Sequence, residues 1–484
     1  MFTTFITPRT PSLVLALLLL GVGGAGSVAS AQPTADTRGR DTRIVFFGSS
    51  VPNGTGDETR QEGYTGRVRQ LLEPAGWDVV NRSRGGDNTV TIASRFEPEG
   101  TPEPSTPYLM TANAGYAVLA LSLGNEGIMA CAPGQSRRCT KTRDEADRIY
   151  EQFATGLWTL VERTRAEGIV PIVTLAYARS DFTEREYEYT RRMNLLINSW
   201  DVPSVNLLGA IDDGGGRWAD GFVADALHPN SAGHAEMAHA FVPTLFDALA
   251  AGKPTPVRST DPGFIRVSGG SPTPLSFSPE HPMRSFAMSF LVRANGDGTV
   301  AGVSGQTLGS RVTTSAYGRQ RQPIDIYNLS PSGQTRVAVR VSGGRFTYTA
   351  SSGETVRSSA TATDGEWHHV VLSHYAARGE TVLFVDGARA GAVSERLQPE
   401  RLVLGGGGRA ADEAPQQADF KEWMIHRAGL NADEAAALYA GTLVQASLEV
   451  YASLRGSSAT ATENRAQSLS VVEIERAGVT HTEE

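Results

Sequence analysis

Between residues 42 and 250 the chain alternates between two kinds of hydrophobic pattern. Short, nearly continuous apolar runs occur at Ile44–Phe47, Trp77–Asn81, Tyr116–Leu123, Ile169–Leu175 and Ser204–Leu208. Runs of this kind suit strands buried on both faces. Longer stretches with helical spacing separate them, at Tyr64–Leu72, Arg143–Glu167, Thr183–Trp200 and Ser231–Ala250. Strand–helix alternation predicts an α/β domain, a doubly wound parallel sheet of five strands with helices on both faces.

The texture then changes. Residues 252–263, "GKPTPVRSTDPG", lack periodicity, are rich in Pro, Ser and Thr, and read as a linker. Beyond it Phe286, Met288, Phe290 and Val292 alternate with their neighbours, and "HHVVLSHY", "TVLFVDG" and "RLVLGGGG" are strand-like runs bounded by turn signals. An antiparallel β-sandwich over residues 264–442 is the expectation. One helix, Ala432–Tyr439, opens on Asn431 with Glu434 three residues later, a capping-box pattern. Residues 443–484 hold a further alternating run, Leu448–Leu454, and a polar stretch whose role the pattern leaves open.

The N-terminus has a different logic. Arg9 precedes the apolar run Leu13–Leu20, and small residues lead to Ala29-Ser30-Ala31. This is the pattern of a cleaved export signal, residues 1–31, so a secreted or periplasmic protein beginning near Gln32 is expected. No run is long and apolar enough to read as a transmembrane segment. With 44 basic and 52 acidic residues the net charge is −8, which argues against nucleic acid or an anionic membrane as partner. The two cysteines, Cys131 and Cys139, are close together, and an oxidising compartment predicts a disulfide between them.

In a doubly wound sheet, ligands sit beyond the carboxyl ends of the strands. The polar residues found there are Ser49 and Ser50, then "NRSRGGDNT" (81–89), "GNEG" (124–127) and "DALHPN" (225–230). The α/β part has three histidines, His228, His234 and His239, and the last two fall in a helix-like stretch. His228 sits in a loop with Asp225 three residues earlier. That spacing lets a carboxylate reach the far ring nitrogen, fixing the tautomer of a general base.

These segments, in this order, resemble the blocks of the SGNH (GDSL-like) hydrolases over about residues 42–250, within a domain placed at 40–251. Ser50 matches the block I serine, Gly86 the block II glycine, Asn125 the block III asparagine, and Asp225 with His228 the block V pair. The resemblance implies a flavodoxin-like sheet, with Ser50 as nucleophile and His228 as base oriented by Asp225. It also implies an oxyanion hole from the Ser50 and Gly86 N–H groups and the Asn125 amide. Ester hydrolysis through an acyl-enzyme follows, with no metal and no cofactor. Two departures stand out: Gly48-Ser49-Ser50 where the family reads Gly-Asp-Ser, and Leu123-Gly124-Asn125-Glu126 where it reads Gly-x-Asn-Asp.

The second domain resembles laminin-G-like, concanavalin A-like sandwiches, on "DGEWHHVVLSHY", "ETVLFVDGARAG" and "FKEWMIHRAGLNADEAAALYAG". Such domains bind glycans or proteins, and some bind calcium. Here "NGDG" (295–298) reads as a plain turn rather than a cation site, and Trp367 as a core anchor rather than a sugar platform. The combined expectation is a secreted serine esterase acting on acylated polysaccharide, with a glycan-binding-type accessory domain. A lipase or thioesterase and a non-catalytic carbohydrate-binding or adhesion protein are the alternatives. Aromatic residues make up only 7% of the chain and no apolar lid run is present, which weighs against long acyl chains.

Overall fold

The computed structural model describes residues 39–129, 141–269, 271–315, 324–407 and 417–483. The expected signal segment, Cys131 and Cys139 lie outside the described residues.

Strands β1 (Arg43–Gly48), β2 (Asp78–Asn81), β3 (Tyr116–Ala120), β4 (Val170–Thr174) and β5 (Ser204–Val205) form an all-parallel sheet in the order β2-β1-β3-β4-β5. This is the flavodoxin-like order, with its switch point between β1 and β3. The continuous apolar run of β1 has a simple cause. Ile44 and Phe46 pack on one side with Tyr64 and Phe241, while Val45 and Phe47 pack on the other with Phe96 and Phe153.

The helices are α1 (Gly63–Leu72), α2 (Thr89–Ala93), α3 (Arg143–Ala166), α4 (Glu184–Asn198) and α5 (Leu208–Ile211), then α6 (Ser231–His239) and α7 (Leu245–Ala250). The single helix expected over Ser231–Ala250 is therefore two. Pro243 stands in the gap, and proline has no N–H to carry a helix onward.

The second half is a sandwich of antiparallel sheets of seven and eight strands. The seven-stranded sheet centres on a long hairpin, Gly298–Ser315 and Ile324–Ser342. Its many Gly, Ser and Thr positions hid it from hydrophobic patterning. Phe290, Val292, Leu372 and Trp423 fill the space between the sheets. The eight-stranded sheet is covered on its outer face too, where Ala287, Val371, Tyr375 and Phe384 pack with Leu438 of α8 (Ala432–Tyr439). The alternation of Phe286–Ala294 is therefore weak in burial. Trp367 is not a core anchor. It is half-buried, with Lys421 Nζ 4.4 Å and Arg293 Cζ 4.9 Å from its ring centroid, and the central tryptophan is Trp423. Asp297 of "NGDG" accepts bonds from Gly343 N (2.7 Å) and Gly344 N (3.1 Å), tying one turn to the next.

Residues 443–484 join the sandwich. Leu448–Ala452 pairs with Ala418–His426, Glu473–Ile474 with Leu275–Phe277, and Val479–Thr482 with Phe264–Val267. The same segment closes the parallel sheet. Ser447 N donates to Ser204 O (2.9 Å) and Asn206 N donates to Ser447 Oγ (2.8 Å), covering the β5 edge. Asn198 Oδ1 accepts from Gln445 N and Ala446 N, both at 2.9 Å. Leu308, Leu329, Ala376 and Ala377 of the sandwich share one apolar cluster with Phe222 and Phe241.

Glu434, in the first turn of α8, accepts from Asn431 N (2.9 Å) and Asn206 Nδ2 (3.0 Å) across this interface. Burial pushes its carboxyl up to about 8. The folded state thus holds this proton more tightly than the unfolded chain. Its contribution to stability is full below the ordinary value of 4.5 and is lost as pH rises toward 8. Glu434→Gln is expected to flatten that loss, read as urea midpoints at acid and mildly alkaline pH. Equal pH slopes in both proteins would refute it. Asn198→Ala strands two buried N–H groups, so a loss of about 1–3 kcal/mol in denaturant unfolding is expected.

Candidate active site

β1 ends against its neighbour. A Cβ on Gly48 would lie 2.1 Å from Ala120 O and 2.7 Å from Pro52 Cγ, so only glycine fits. The two serines that follow part company. Ser49 is fully buried, its Oγ 3.2 Å from Tyr177 Oη. Ser50 faces a cavity of about 300 Å³ lined in part by Thr55, Gly86, Asn125, Tyr177 and His228.

Buried polar groups fix the loop after Ser50. Thr55 N donates to Ser50 O (3.0 Å). Asp57 accepts from Thr59, Gln61 N, Gly63 N and Arg67. Burial works to raise its carboxyl, but the Arg67 guanidinium, the Thr59 hydroxyl and the Gly63 N–H outweigh it and hold it at about 2. His234 accepts from Tyr64 N (3.2 Å) and donates through Nε2 to Thr55 O (3.0 Å). Burial lowers this imidazole to about 4, so it stays neutral and braces the loop.

The opposite wall carries the histidine. His228 Nε2 is 3.0 Å from Ser50 Oγ, and His228 Nδ1 is 2.9 Å from both carboxylate oxygens of Asp225. Asp225 Oδ1 also accepts from Leu227 N (2.7 Å) and His228 N (2.9 Å), so one turn holds acid and base together. Desolvation opposes ionisation of Asp225, yet the bonds from His228 and Leu227 lower its pKa. A hydroxyl bonded to an imidazole that is backed by a carboxylate can lose its proton as it attacks a carbonyl. Next to this turn, Asn230 N donates to Phe222 O (3.0 Å). The Tyr327 ring, from the sandwich hairpin, packs edge-on against Phe222 at 5.1 Å.

The third wall holds Gly86 and Asn125. Gly86 has φ +85° with open space where a Cβ would be, so glycine is needed there for conformation. Among the described residues, neither the Ser50 N–H nor the Gly86 N–H donates to a protein group. Asn125 Nδ2 donates one hydrogen to Asp87 O (2.9 Å), which orients the amide. Asp87 is itself locked. Its carboxylate takes Arg95 Nε (2.8 Å), Arg95 Nη2 and Arg84 Nη2 (2.8 Å), while Arg95 Nη1 donates to Arg82 O (3.0 Å) and Pro107 O. Glu126 accepts from Thr89 N, at the start of α2. Burial raises its carboxyl against the bonds from Thr89.

The structure brings together Ser50, Gly86, Asn125, Asp225 and His228. Sequence patterning missed Asp87, Arg95, Tyr177, Arg179 and Tyr327. The one available signal was charge: Arg95 directly precedes Phe96 at the end of the apolar-spaced run from Ile92. Asp87→Asn leaves Arg95 buried without its carboxylate. A loss of about 3–5 kcal/mol is expected in urea unfolding, and a change under about 1 kcal/mol would count against this buttress.

Residues 46–236 match the model of the GDSL-like lipase/acylhydrolase family, and residues 291–436 that of the concanavalin A-like lectin/glucanase superfamily. The chain therefore carries an SGNH-type serine hydrolase domain followed by a concanavalin A-like domain, and its chemistry is that of an esterase. No curated protein matches it. Similar solved structures include a catalytic mutant of an acetylxylan esterase from Geobacillus stearothermophilus, with 15% identity over 41% of this chain and 92% of that one, TM-score 0.30. A GDSL-like lipase from Bacteroides thetaiotaomicron has 14% identity over 43% of this chain and 88% of its own, TM-score 0.30. A SAP-like pentraxin from Limulus polyphemus has 11% identity over 48% and 93%, TM-score 0.28.

Proposed function

We propose that the protein is an exported esterase that removes short acyl groups from polysaccharide, with Ser50 as nucleophile. The observation that carries this is the unbroken chain from Ser50 Oγ through His228 to Asp225, at 3.0 and 2.9 Å, opening into a cavity. Ser50 Oγ attacks the ester carbonyl carbon while its proton passes to His228 Nε2. The oxyanion is met by the Ser50 and Gly86 N–H groups and the second hydrogen of Asn125 Nδ2. Collapse breaks the bond to the alcohol oxygen, which takes the proton from His228. Water, deprotonated by His228, then releases the acid and restores Ser50. Asp225 keeps the imidazole in its productive tautomer throughout.

Three features support the narrower reading. A cavity of about 300 Å³ suits a short acyl group better than a long chain. The concanavalin A-like match supports a carbohydrate partner. Residues 1–31 support export, with N-terminal sequencing of the mature protein expected to begin near Gln32.

Ser50→Ala is expected to lower kcat on 4-nitrophenyl acetate by about 10⁴-fold or more without moving the urea midpoint. Activity above a tenth of wild type would remove Ser50 from the mechanism. Acetate release from acetylated polysaccharide should far exceed hydrolysis of 4-nitrophenyl palmitate. The reverse order would turn the reading toward lipids.

A further inference from the structure

Arg179 lies on the segment after β4, strung between two loops. Its N–H donates to Gly216 O (3.1 Å), and Ser180 N donates to Ala226 O (2.9 Å), next to Asp225. The side chain, only 8% exposed, reaches the wall of the Ser50 cavity. Its guanidinium rests on the bare Cα of Gly124. A Cβ there would stand 2.3 Å from Arg179 Nη1 and 2.9 Å from Cζ. Gly124 is not among the positive-φ residues, so what requires glycine is room for this arginine.

Asp181 engages only part of the guanidinium, taking Nε (3.0 Å) and Nη2 (2.8 Å). Nη1 has no acceptor among the described residues. Among the described residues no carboxylate lines the cavity, and Arg179 is the one permanently charged group that does. A fixed guanidinium with a spare N–H beside the nucleophile is a charge-assisted donor waiting for an anion.

We propose that Arg179 is a specificity-determining residue that recognises a carboxylate carried by the ester substrate. This rests on the esterase reading of the same cavity and narrows it to acidic substrates, with the carboxylate either on the acyl group or on the alcohol, as in a uronate.

The test uses two matched pairs of esters. 4-Nitrophenyl hydrogen succinate against 4-nitrophenyl acetate places the carboxylate on the acyl side. 4-Acetoxybenzoate against its methyl ester places it on the alcohol side. Wild type is expected to favour the charged member of one pair by about 10-fold or more in kcat/KM, the scale of a hydrogen bond to a charged group. Arg179→Met should collapse that ratio toward one through KM, and Arg179→Lys should keep much of it. No preference in either pair, or a parallel fall that leaves the ratio intact in Arg179→Met, overturns the proposal. Failure of wild type to cleave any of the four esters overturns the esterase reading itself. Should Arg179→Met misfold, benzoate and succinate as inhibitors of wild-type acetate-ester hydrolysis decide. Competitive inhibition supports the proposal, and its absence at high concentration refutes it.

Discussion

Beneath the cavity, a carboxylate and a guanidinium are buried together. Asp87 and Arg95 side chains are each 2% exposed, and every polar atom of the pair is engaged. An ion pair that deep is tolerable only with such complete bonding. Its consequence is mechanical. Asp87 is the residue after Gly86, and its carbonyl holds the Asn125 amide. Glu126, next along, caps the start of α2 at Thr89. The loops after β2 and β3 are therefore one rigid unit before any substrate arrives. Donors fixed in advance are what stabilises a developing oxyanion, because nothing has to reorganise as the charge appears.

The sandwich belongs to that same rigidity. The linker is pinned along its length: Lys253 Nζ donates to Ser468 O (2.7 Å), Arg258 Nη1 to Leu438 O (2.8 Å), and Ser259 N to Tyr451 Oη (2.8 Å). Tyr327 presses on Phe222, whose carbonyl anchors Asn230 just past His228. The His228 loop is thus braced from both halves of the chain. Apolar packing and buried hydrogen bonds, not a flexible tether, join the halves.

How much of this was legible in the sequence follows from which forces are local. Ile44–Phe47 announced a strand covered on both faces, and strand ends located the segments that hold Ser50, Gly86, Asn125 and the Asp225–His228 turn, while the family resemblance singled out Ser50, Gly86 and Asn125 within them. Pro243 stood in plain view, yet the helical spacing around it masked the break. The paired strands Gly298–Ser315 and Ile324–Ser342 carry too little apolar alternation to register. Glu473–Ile474 and Val479–Thr482 are short strands at the sheet margins, the first exposed and the second with only Val479 against the core, too little to write a pattern. Tyr327 and Phe222 meet across more than a hundred positions, and a contact of that kind leaves no periodicity. Arg95 left only an anomaly, a charge beside buried Phe96.

The two departures from the family pattern make physical sense together. A carboxylate at position 49 would be fully buried with only Tyr177 for company, and an unpaired buried charge is costly. The Ser49 hydroxyl instead forms a neutral pair with Tyr177, so no negative charge lies directly behind Ser50. Glu126, one carbon longer than aspartate, spans the gap to Thr89 N and spends its charge on a helix start. Among the described residues around Ser50, the Asp225 carboxylate is exposed and bonded to His228, while the Arg179 guanidinium, paired through Nε and Nη2 with Asp181, keeps Nη1 for the cavity. On the proposed function the acid serves the base, and the N–H that Asp181 leaves over faces the substrate. On the proposed function, this arrangement suits the cavity both to activating Ser50 and to drawing in an anionic ester.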